Sequence, residues 1–351
     1  MKAILLWVGF SSLSMTFPMV SSAADGEDVI KIQAVGDIVL GTNFPYDKLI
    51  PSGEERQLFA QVKPVLGNGD IIFGNFEGTL TTQENSPKFP KRKEQEDENN
   101  KKTSGLVFAF RMPPSYATLL KDVGFNVLNV ANNHSRDFGP VGFKETVQSI
   151  KSVGLTAIGE KGEIVYKKVK NTPIAFIGFS YLKHHNTVQD IPRAVQLVRE
   201  AKRNAKIVIV SMHVGAEGAQ AQHTLDQDEI FHQENRGNSI KFAHAVVDAG
   251  ADLVIGHGPH VLRAMERYKE KLIAYSLGNF LGYRTFNTTG DRAYSAILEA
   301  SFSPQGQFLE KKIIGIKLSG TGIPQLDETN TAKNMIKRLS EQDFPETKAF
   351  K

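Results

Sequence analysis

The sequence predicts an α/β layered fold, and two features of the chain support this prediction. Short apolar runs rich in β-branched residues alternate with amphipathic segments along most of the 351 residues. This alternation is typical of strands that pack against helices in a layered sheet protein. The strand candidates, in chain order, are VIKIQAV, DIIFGNF, FNVLNVA, PIAFIGF, KIVIVSM, ADLVIGH and LIAYSLGNF. The helix candidates, several of which end at a glycine that can cap a helix, are SYATLLKDVG, VGFKETVQSIKSVG, AVQLVREAKRNA and SIKFAHAVVDAG.

The N-terminus has the composition of an export signal. Lys2 precedes the apolar run AILLWVGF, and small residues that end in SSAA follow it. We predict a signal peptide at residues 1–24 with cleavage near Ala24, because the apolar run is short for a bilayer span. An uncleaved membrane anchor is the alternative. The expected location of the mature protein is therefore periplasmic or extracellular.

Composition excludes several classes of site. A formal charge of +4 is small for this length and gives no case for nucleic-acid binding. The chain has no cysteine, which excludes disulfides, thiolate catalysis and Cys-ligated zinc. Any metal that the protein binds must therefore use imidazole, carboxylate, amide or water ligands.

Two charged segments interrupt the layered pattern. Residues 81–105, TTQENSPKFPKRKEQEDENNKKTSG, carry dense charge of both signs and few apolar residues. We expect a solvated loop there; a flexible lid or polymer-binding arm is the functional alternative. The segment 328–351 is predicted to be a charged helical tail, with the same two interpretations. Neither segment contributes to the predicted sheet.

Polar side chains follow five of the predicted strands, at the point where each strand ends. Ligands bind at the carboxyl ends of strands in open α/β sheets, so we expect these side chains to converge. Each motif alone is a weak signal, because Gly-Asp pairs and Asn-rich turns are common in loops. Together they supply imidazoles, carboxylates and amide oxygens, which suit Zn, Mn, Fe or Mg. The residues are Asp37, Asn75, Glu77, Asn132, Asn133, His134, Asp137, His213, Glu217, His257 and His260.

Two further sets of polar residues are less informative. Ser276 and Asn279 in YSLGNF follow another strand end, where a hydrogen-bonded turn and a substrate contact are equally compatible with the sequence. The other histidines have no partners at an interpretable spacing, except that two are adjacent. We interpret all of them as surface or structural residues: His184, His185, His223, His232 and His244.

The ordered motifs GD, GNFEG, ANNHSRDFG, HVGAEG, GHGPH and YSLGNF resemble those of the CapA family of capsule biosynthesis proteins, also called poly-γ-glutamate synthesis proteins. The resemblance covers residues 30–302, and we place the family domain at residues 25–327. The family fold is similar to that of the calcineurin-like metallophosphatases. The resemblance therefore implies a four-layer α/β sandwich with two central mixed β-sheets flanked by helices.

The resemblance also implies roles for the polar residues. The GHGPH turn would present its two imidazoles to two different metals, which Glu77 would bridge. His134 would protonate a leaving oxygen or stabilise developing charge, Asp137 would orient it, and Glu217 would be a further ligand or base. The expected substrate contacts are Asn75, Asn132, Ser276 and Asn279. The implied metal ligands are Asp37, Glu77, Asn133, His213, His257 and His260.

The chain departs from the metallophosphatase pattern in ways that the CapA pattern shares. Asp37 is followed by two aliphatic residues where phosphatases have a histidine two positions on, and Glu77 stands where they have an aspartate. The closing histidines have one extra residue between them. These changes favour CapA over an ordinary phosphatase and leave open whether one or two metals bind. In related CapA sequences an aromatic residue commonly follows HxGxE, but here Gly218 follows Glu217, so we expect a different pocket wall.

Two functions are compatible with this site. The first is a metal-dependent hydrolase acting on a phosphoester or on an amide of an envelope polymer, with one or two Mn, Fe or Zn ions as cofactor. The second is a non-catalytic component that binds an anionic polymer during capsule or poly-γ-glutamate synthesis or export, in contact with envelope machinery. A metal-free protein that binds a small ligand is a third hypothesis, which requires the whole set of motifs to be a coincidence.

Overall fold

The computed structural model describes residues 29–46, 49–51, 53, 55–89, 108–347 and 349–350. The predicted signal peptide and residues 90–105 of the predicted loop lie outside this part of the chain. Within it, each strand and helix candidate forms an element of the predicted type. The α-helices are α1 (Lys63–Leu66), α2 (Tyr116–Val123), α3 (Gly139–Ser152), α4 (Ile191–Asn204), α5 (Ser239–Ala249) and α6 (Thr331–Asp343). None of the described helices combines the length and apolar character that crossing a bilayer requires.

The strands outnumber the candidates read from the sequence. Those of the first half are β1 (Ile30–Val39), β2 (Ile71–Phe76), β3 (Thr79–Leu80), β4 (Arg111–Met112), β5 (Val127–Asn129), β6 (Thr156–Ile158), β7 (Val165–Val169), β8 (Thr172–Ser180) and β9 (Asn186–Thr187). Those of the second half are β10 (Ile207–His213), β11 (Ile230–Phe231), β12 (Glu234–Asn235), β13 (Leu253–His257), β14 (Met265–Tyr268), β15 (Lys271–Ala274), β16 (Asn279–Gly282), β17 (Tyr294–Phe302), β18 (Phe308–Leu318) and β19 (Pro324–Leu326).

Two mixed sheets form the centre of the fold. The first has the order β19-β18-β17-β1-β2-β5-β6, with β16 also paired to β1. The second has the order β14-β15-β13-β10-β8-β7, with β9 paired to β8. In each sheet the central strands run parallel and at least one outer strand pairs antiparallel. The candidate LIAYSLGNF divides into β15 in the second sheet and β16 in the first.

Four layers result from the packing of these sheets. The inner faces share one core, in which Ile32 of β1 and Ile209 of β10 are fully buried. The outer face of the first sheet packs against α2 and α3, and that of the second packs against α4 and α5. Because the central strands are buried on both faces, their sequences are continuously apolar. The predicted four-layer α/β sandwich is confirmed.

The charged C-terminal segment contains α6, which contributes to the core. Its buried side chains Ala332, Ile336 and Leu339 join the cluster between the sheets. The carboxylate of Asp327 accepts a hydrogen bond from the Ala332 N–H at 2.7 Å and supports the start of the helix. The charged side chains of this segment lie on the exposed face of the helix. The apolar residues of its buried face are spaced among them, so the sequence pattern did not identify this helix as part of the core.

Candidate functional site

Strand-end side chains from both sheets meet at one buried site. Asp37 comes from β1 in the first sheet, whereas His213 and His257 end β10 and β13 in the second. His257 Nδ1 lies 3.4 Å from Asp37 Oδ1, and His260 Nδ1 lies 3.1 Å from Asp37 Oδ2. Glu77 Oε1 lies 3.6 Å from His260 Nε2 and 3.9 Å from His213 Nε2. The sequence motifs therefore converge as the strand-end rule predicts.

The GHGPH turn needs a glycine at position 258 so that its two histidines can reach this site. Gly258 has a φ of +109°, and a Cβ there would lie 2.9 Å from the Val214 carbonyl oxygen and 3.2 Å from His213 Nε2. A side chain would thus collide with the neighbouring strand end. His260 takes a left-handed φ of 57°, and its Nδ1 lies 2.8 Å from Asn279 Oδ1. The turn and the crossing into β16 together orient this imidazole.

Seven buried ligand atoms at this site lack a hydrogen-bond partner among the described residues. Buried polar atoms in proteins are almost always hydrogen-bonded, so a concentration of such atoms needs an explanation. One ligand atom from each of Asp37, Glu77 and His260 lies within 4.8 Å of the others. These oxygens and nitrogens fit a divalent cation. The atoms are Asp37 Oδ2, Glu77 Oε1 and Oε2, Asn133 Oδ1, His213 Nε2, and His257 Nδ1 and Nε2.

The electrostatics of the cluster also favour a cation. Burial raises the pKa of Glu77 well above its usual range, and the nearby charge of Asp37 adds to this. Burial acts in the same direction on Asp37, but the imidazoles of His257 and His260 outweigh it and hold its pKa well below the usual range. Burial lowers the pKa of His260, yet Glu77 and Asp37 raise it to about 10. A bound cation would stabilise the ionised form of Glu77, which burial and the charge of Asp37 disfavour.

His134 and Asp137 form a second, hydrogen-bonded unit beside this cluster. His134 Nδ1 lies 2.8 Å from Asp137 Oδ2, which also accepts the Phe110 N–H at 2.7 Å. Lys88 Nζ lies 2.5 Å from the other carboxylate oxygen. Burial lowers the pKa of His134, and the charge of Asp137 opposes this. Because Asp137 engages Nδ1, Nε2 is the nitrogen available for proton transfer.

A network of asparagine side chains forms hydrogen bonds around two of the candidate ligands, Asp37 and His213. Asn75 Nδ2 donates to Asp37 Oδ1 at 2.8 Å and lies 3.3 Å from His213 Nδ1. Asn129 and Asn132 donate to Asn75 Oδ1 at 2.8 and 3.3 Å. Asn75 and Asn132 are buried, so we assign them to orienting the ligands, not to the expected substrate contact. Asn129 was missed, although it ends a strand in the same Asn-rich motif.

Glu217 is fixed by a residue that the sequence did not indicate. Its Oε1 lies 3.0 Å from Arg236 Nη1, and its Oε2 lies 3.9 Å from His260 Nε2. The guanidinium of Arg236 stacks over the Tyr181 ring at 4.2 Å. Arg236 follows the irregular hairpin of β11 and β12, so no periodic pattern marked it.

A cleft of about 420 Å³ opens onto the site. His134, Glu217, His260 and Asn279 line it. Ser276 is buried instead, and its hydroxyl donates to the Val261 carbonyl at 2.7 Å. The aromatic part of the cleft wall is formed by Phe108, Phe110, Phe231 and Phe286.

Comparisons with known proteins agree with the motifs. The profile of the family described as "Bacterial capsule synthesis protein PGA_cap" matches residues 31–284. The PGA biosynthesis protein CapA of Bacillus subtilis is 32% identical over 305 residues, which cover 82% of this chain and 71% of that protein. The capsule biosynthesis protein CapA of Bacillus anthracis is 29% identical over 279 residues, covering 74% and 61% of the two chains. This chain thus spans less than two thirds of the Bacillus anthracis protein.

The solved structures that resemble this chain share less sequence identity with it than these relatives do. The 5'-nucleotidase precursor of Thermus thermophilus is 13% identical, with a TM-score of 0.45, over 90% of this chain and 59% of that one. GAP50 of Plasmodium is also 13% identical, with a TM-score of 0.40, over 90% and 95% of the two chains. The family profile covers more than half of the chain, and the chain belongs to the bacterial capsule synthesis protein PGA_cap family, which includes CapA.

Proposed function

We propose that this protein is an exported, metal-dependent hydrolase that acts on a phosphoester or on an amide of an envelope polymer during capsule or poly-γ-glutamate metabolism. The observation that carries the proposal is the set of buried, unpaired ligand atoms on Asp37, Glu77, His213 and His257. They lie beside a histidine that a carboxylate orients. A buried cation site next to an oriented proton donor is the arrangement that metal-assisted hydrolysis requires.

The proposed cofactor is one or two divalent ions, Mn, Fe or Zn. An ion held there would supply Lewis acidity, which polarises a scissile group and makes water nucleophilic at neutral pH. The residues that we propose as its ligands are Asp37, Glu77, Asn133, His213, His257 and His260. Glu217, which Arg236 holds at 3.0 Å, is proposed as a further ligand or base.

The protein's own catalytic contribution centres on His134. With Asp137 accepting from Nδ1–H, Nε2 of the neutral ring can accept a proton from water in the cleft and, once protonated, give it to a leaving oxygen or nitrogen. The Phe110 N–H and Lys88 keep Asp137 in place, which fixes the direction of the imidazole. The centre of the Phe110 ring lies 4.4 Å from that of the His134 ring, so an apolar side chain packs against the imidazole.

His134→Ala tests this role. The variant should lose roughly 10²- to 10⁴-fold in hydrolytic rate, the usual contribution of a positioned acid or base, while its metal content stays unchanged. Rates would be measured on a phosphoester and on γ-linked polyglutamate, with exposed His232→Ala as the matched control. Full activity in His134→Ala would contradict the proposed mechanism.

The names of the relatives favour one alternative, a non-catalytic role in polymer synthesis. The Mycobacterium tuberculosis relative is named a probable polyglutamine synthesis accessory protein. If this role applies here, polymer production in the host should survive His134→Ala and should be lost with Asp37→Ala. Loss of production in both variants would favour the hydrolase.

Export can be tested with a single residue. Trp7 is the only tryptophan in the sequence and lies within the proposed signal peptide. The exported, mature protein should therefore show no tryptophan fluorescence. A tryptophan emission band from the exported protein would contradict cleavage near Ala24.

A further inference from the structure

A glycine and an arginine lie together in the cleft wall beside Glu217. Gly218 follows Glu217 in the chain, and its φ is +94°. A Cβ on Gly218 would lie 3.2 Å from Arg292 Nη2 and 3.7 Å from Arg292 Nε. The guanidinium of Arg292 therefore lies against the side of the backbone from which a side chain would project. Gly218 therefore leaves room for the guanidinium to lie close to the backbone of this wall.

Arg292 differs from Arg236 and Arg263, two other arginines near the site, in having no anionic partner among the described residues. Arg236 is paired with Glu217 at 3.0 Å, and Arg263 is paired with Glu229 at 2.6 Å. Among the described residues, no carboxylate oxygen forms a salt bridge with Arg292, and no hydrogen bond from its guanidinium is found there. Glu217, which precedes Gly218 in the chain, is already engaged by Arg236. Arg292 is half-buried, so its charge is partly withdrawn from water.

The position of Arg292 connects it to the reacting groups. It lines the same cleft as His134 and His260. Phe286, whose ring lies 5.0 Å from the His260 ring, forms an apolar part of the same wall. An oxyanion that enters such a partly desolvated cleft interacts with a guanidinium more strongly than it would in bulk water.

We propose that Arg292 is a substrate-binding residue that recognises an oxyanion, a carboxylate or a phosphate, at a distance from the bond that reacts. This inference rests on the proposed function, because it takes the cleft to be the substrate site. The substrate then carries at least one anionic group besides the reacting one, with an apolar stretch against the phenylalanine wall. The guanidinium of Arg292 supplies this specificity, and Gly218 leaves space beside it in the cleft wall.

Equilibrium binding to the full mature protein tests the inference without relying on catalysis. Titration calorimetry would measure the dissociation constants of γ-linked triglutamate, of its uncharged carboxamide analogue, and of pyrophosphate, with metal present and after chelation. The variant is Arg292→Met, which keeps the aliphatic stem and removes the charge. Arg199→Met, at an exposed position on α4, is the matched control for loss of one positive charge.

We expect Arg292→Met to weaken binding of triglutamate or of pyrophosphate by about tenfold or more, as for a charge-assisted hydrogen bond, while Arg199→Met changes neither. The probe that shows the loss identifies the oxyanion as carboxylate or phosphate. Unchanged binding of both anions in Arg292→Met, equal parent affinity for triglutamate and its carboxamide together with no effect on pyrophosphate, or no binding of either anion to the parent would overturn the inference. If the parent hydrolyses nothing but shows the Arg292-dependent binding, the hydrolase proposal fails and the anion site stands.

Discussion

Two buried histidines that follow strands of the same sheet have opposite surroundings. His185 follows β8, and each of its ring nitrogens has a hydroxyl partner: Ser180 Oγ at 2.9 Å and Ser135 Oγ at 3.1 Å. His257 ends β13 and is equally buried, yet neither of its ring nitrogens is hydrogen-bonded among the described residues. Both histidines have the same local context in the sequence, an apolar strand that leads into a turn.

The difference teaches how to separate a structural histidine from a candidate ligand. A protein satisfies a structural imidazole with its own donors and acceptors, because a buried unpaired nitrogen costs free energy. His257 carries that cost next to Asp37, whose Oδ2 also lacks a hydrogen-bond partner among the described residues. Several buried polar atoms without hydrogen-bond partners are expected at one place where a bound ligand supplies the missing interactions.

The largest expected effect is the gain in stability that bound metal gives to the protein. Adding Mn, Fe or Zn to the metal-free parent should raise its free energy of unfolding by about 2.7 kcal/mol at a free metal concentration 100 times the dissociation constant. His257→Ala should lose this gain because it removes a ligand, and His185→Ala should keep it. Thermal melts with and without metal would measure this. A full metal-dependent gain in His257→Ala would remove the distinction between the two histidines.

The second effect concerns the metal-free protein. There, His185→Ala should be more destabilising than His257→Ala. His185→Ala breaks two hydrogen bonds and removes one partner from each of two buried hydroxyls. It should therefore lower the free energy of unfolding by about 1–3 kcal/mol. His257→Ala breaks no hydrogen bond among the described residues, removes only the 3.4 Å polar contact with Asp37, and should cost less. Urea unfolding after chelation would measure both, and a larger loss in His257→Ala would contradict the account of His185 as the structural member.

The smallest expected effect is a pH dependence caused by His185. Burial holds the pKa of His185 well below its usual 6.5 in the folded protein. The unfolded chain takes up a proton below about pH 6.5 that the folded protein does not, so stability is unaffected above that pH and falls as the pH decreases below it. The loss should approach about 1.4 kcal/mol per pH unit. His185→Asn should show a shallower slope between pH 7 and 5, and an unchanged slope would contradict the assignment.

Much of the fold was predictable because its central strands are unusual in composition. Strands that are buried on both faces, such as β8 and β10, give continuous apolar runs that end at polar residues. The antiparallel pair β17 and β18 was missed because β18 has many partly exposed positions and a mixed sequence, FLEKKIIGIKL. The division of LIAYSLGNF between two sheets depends on Gly278, whose φ of +70° turns the chain, and a local pattern does not encode that crossing.

The site was predictable to the extent that it lies at strand ends. Asp37, His213 and His257 were found because parallel strands bring their carboxyl ends together. Arg236 and Arg292 could not be found this way, since they come from irregular segments and meet the site only through tertiary packing. Burial itself was also invisible, which is why Asn75 and Asn132 were expected to bind substrate.

The most direct test of the central claim is elemental analysis of the purified mature protein beside the variant His257→Ala/His260→Ala. The account predicts near-stoichiometric Mn, Fe or Zn in the parent and loss of that metal in the variant, with His185→Ala retaining the parental content. No metal in the parent after incubation with these ions, or equal metal in the double variant, would contradict it.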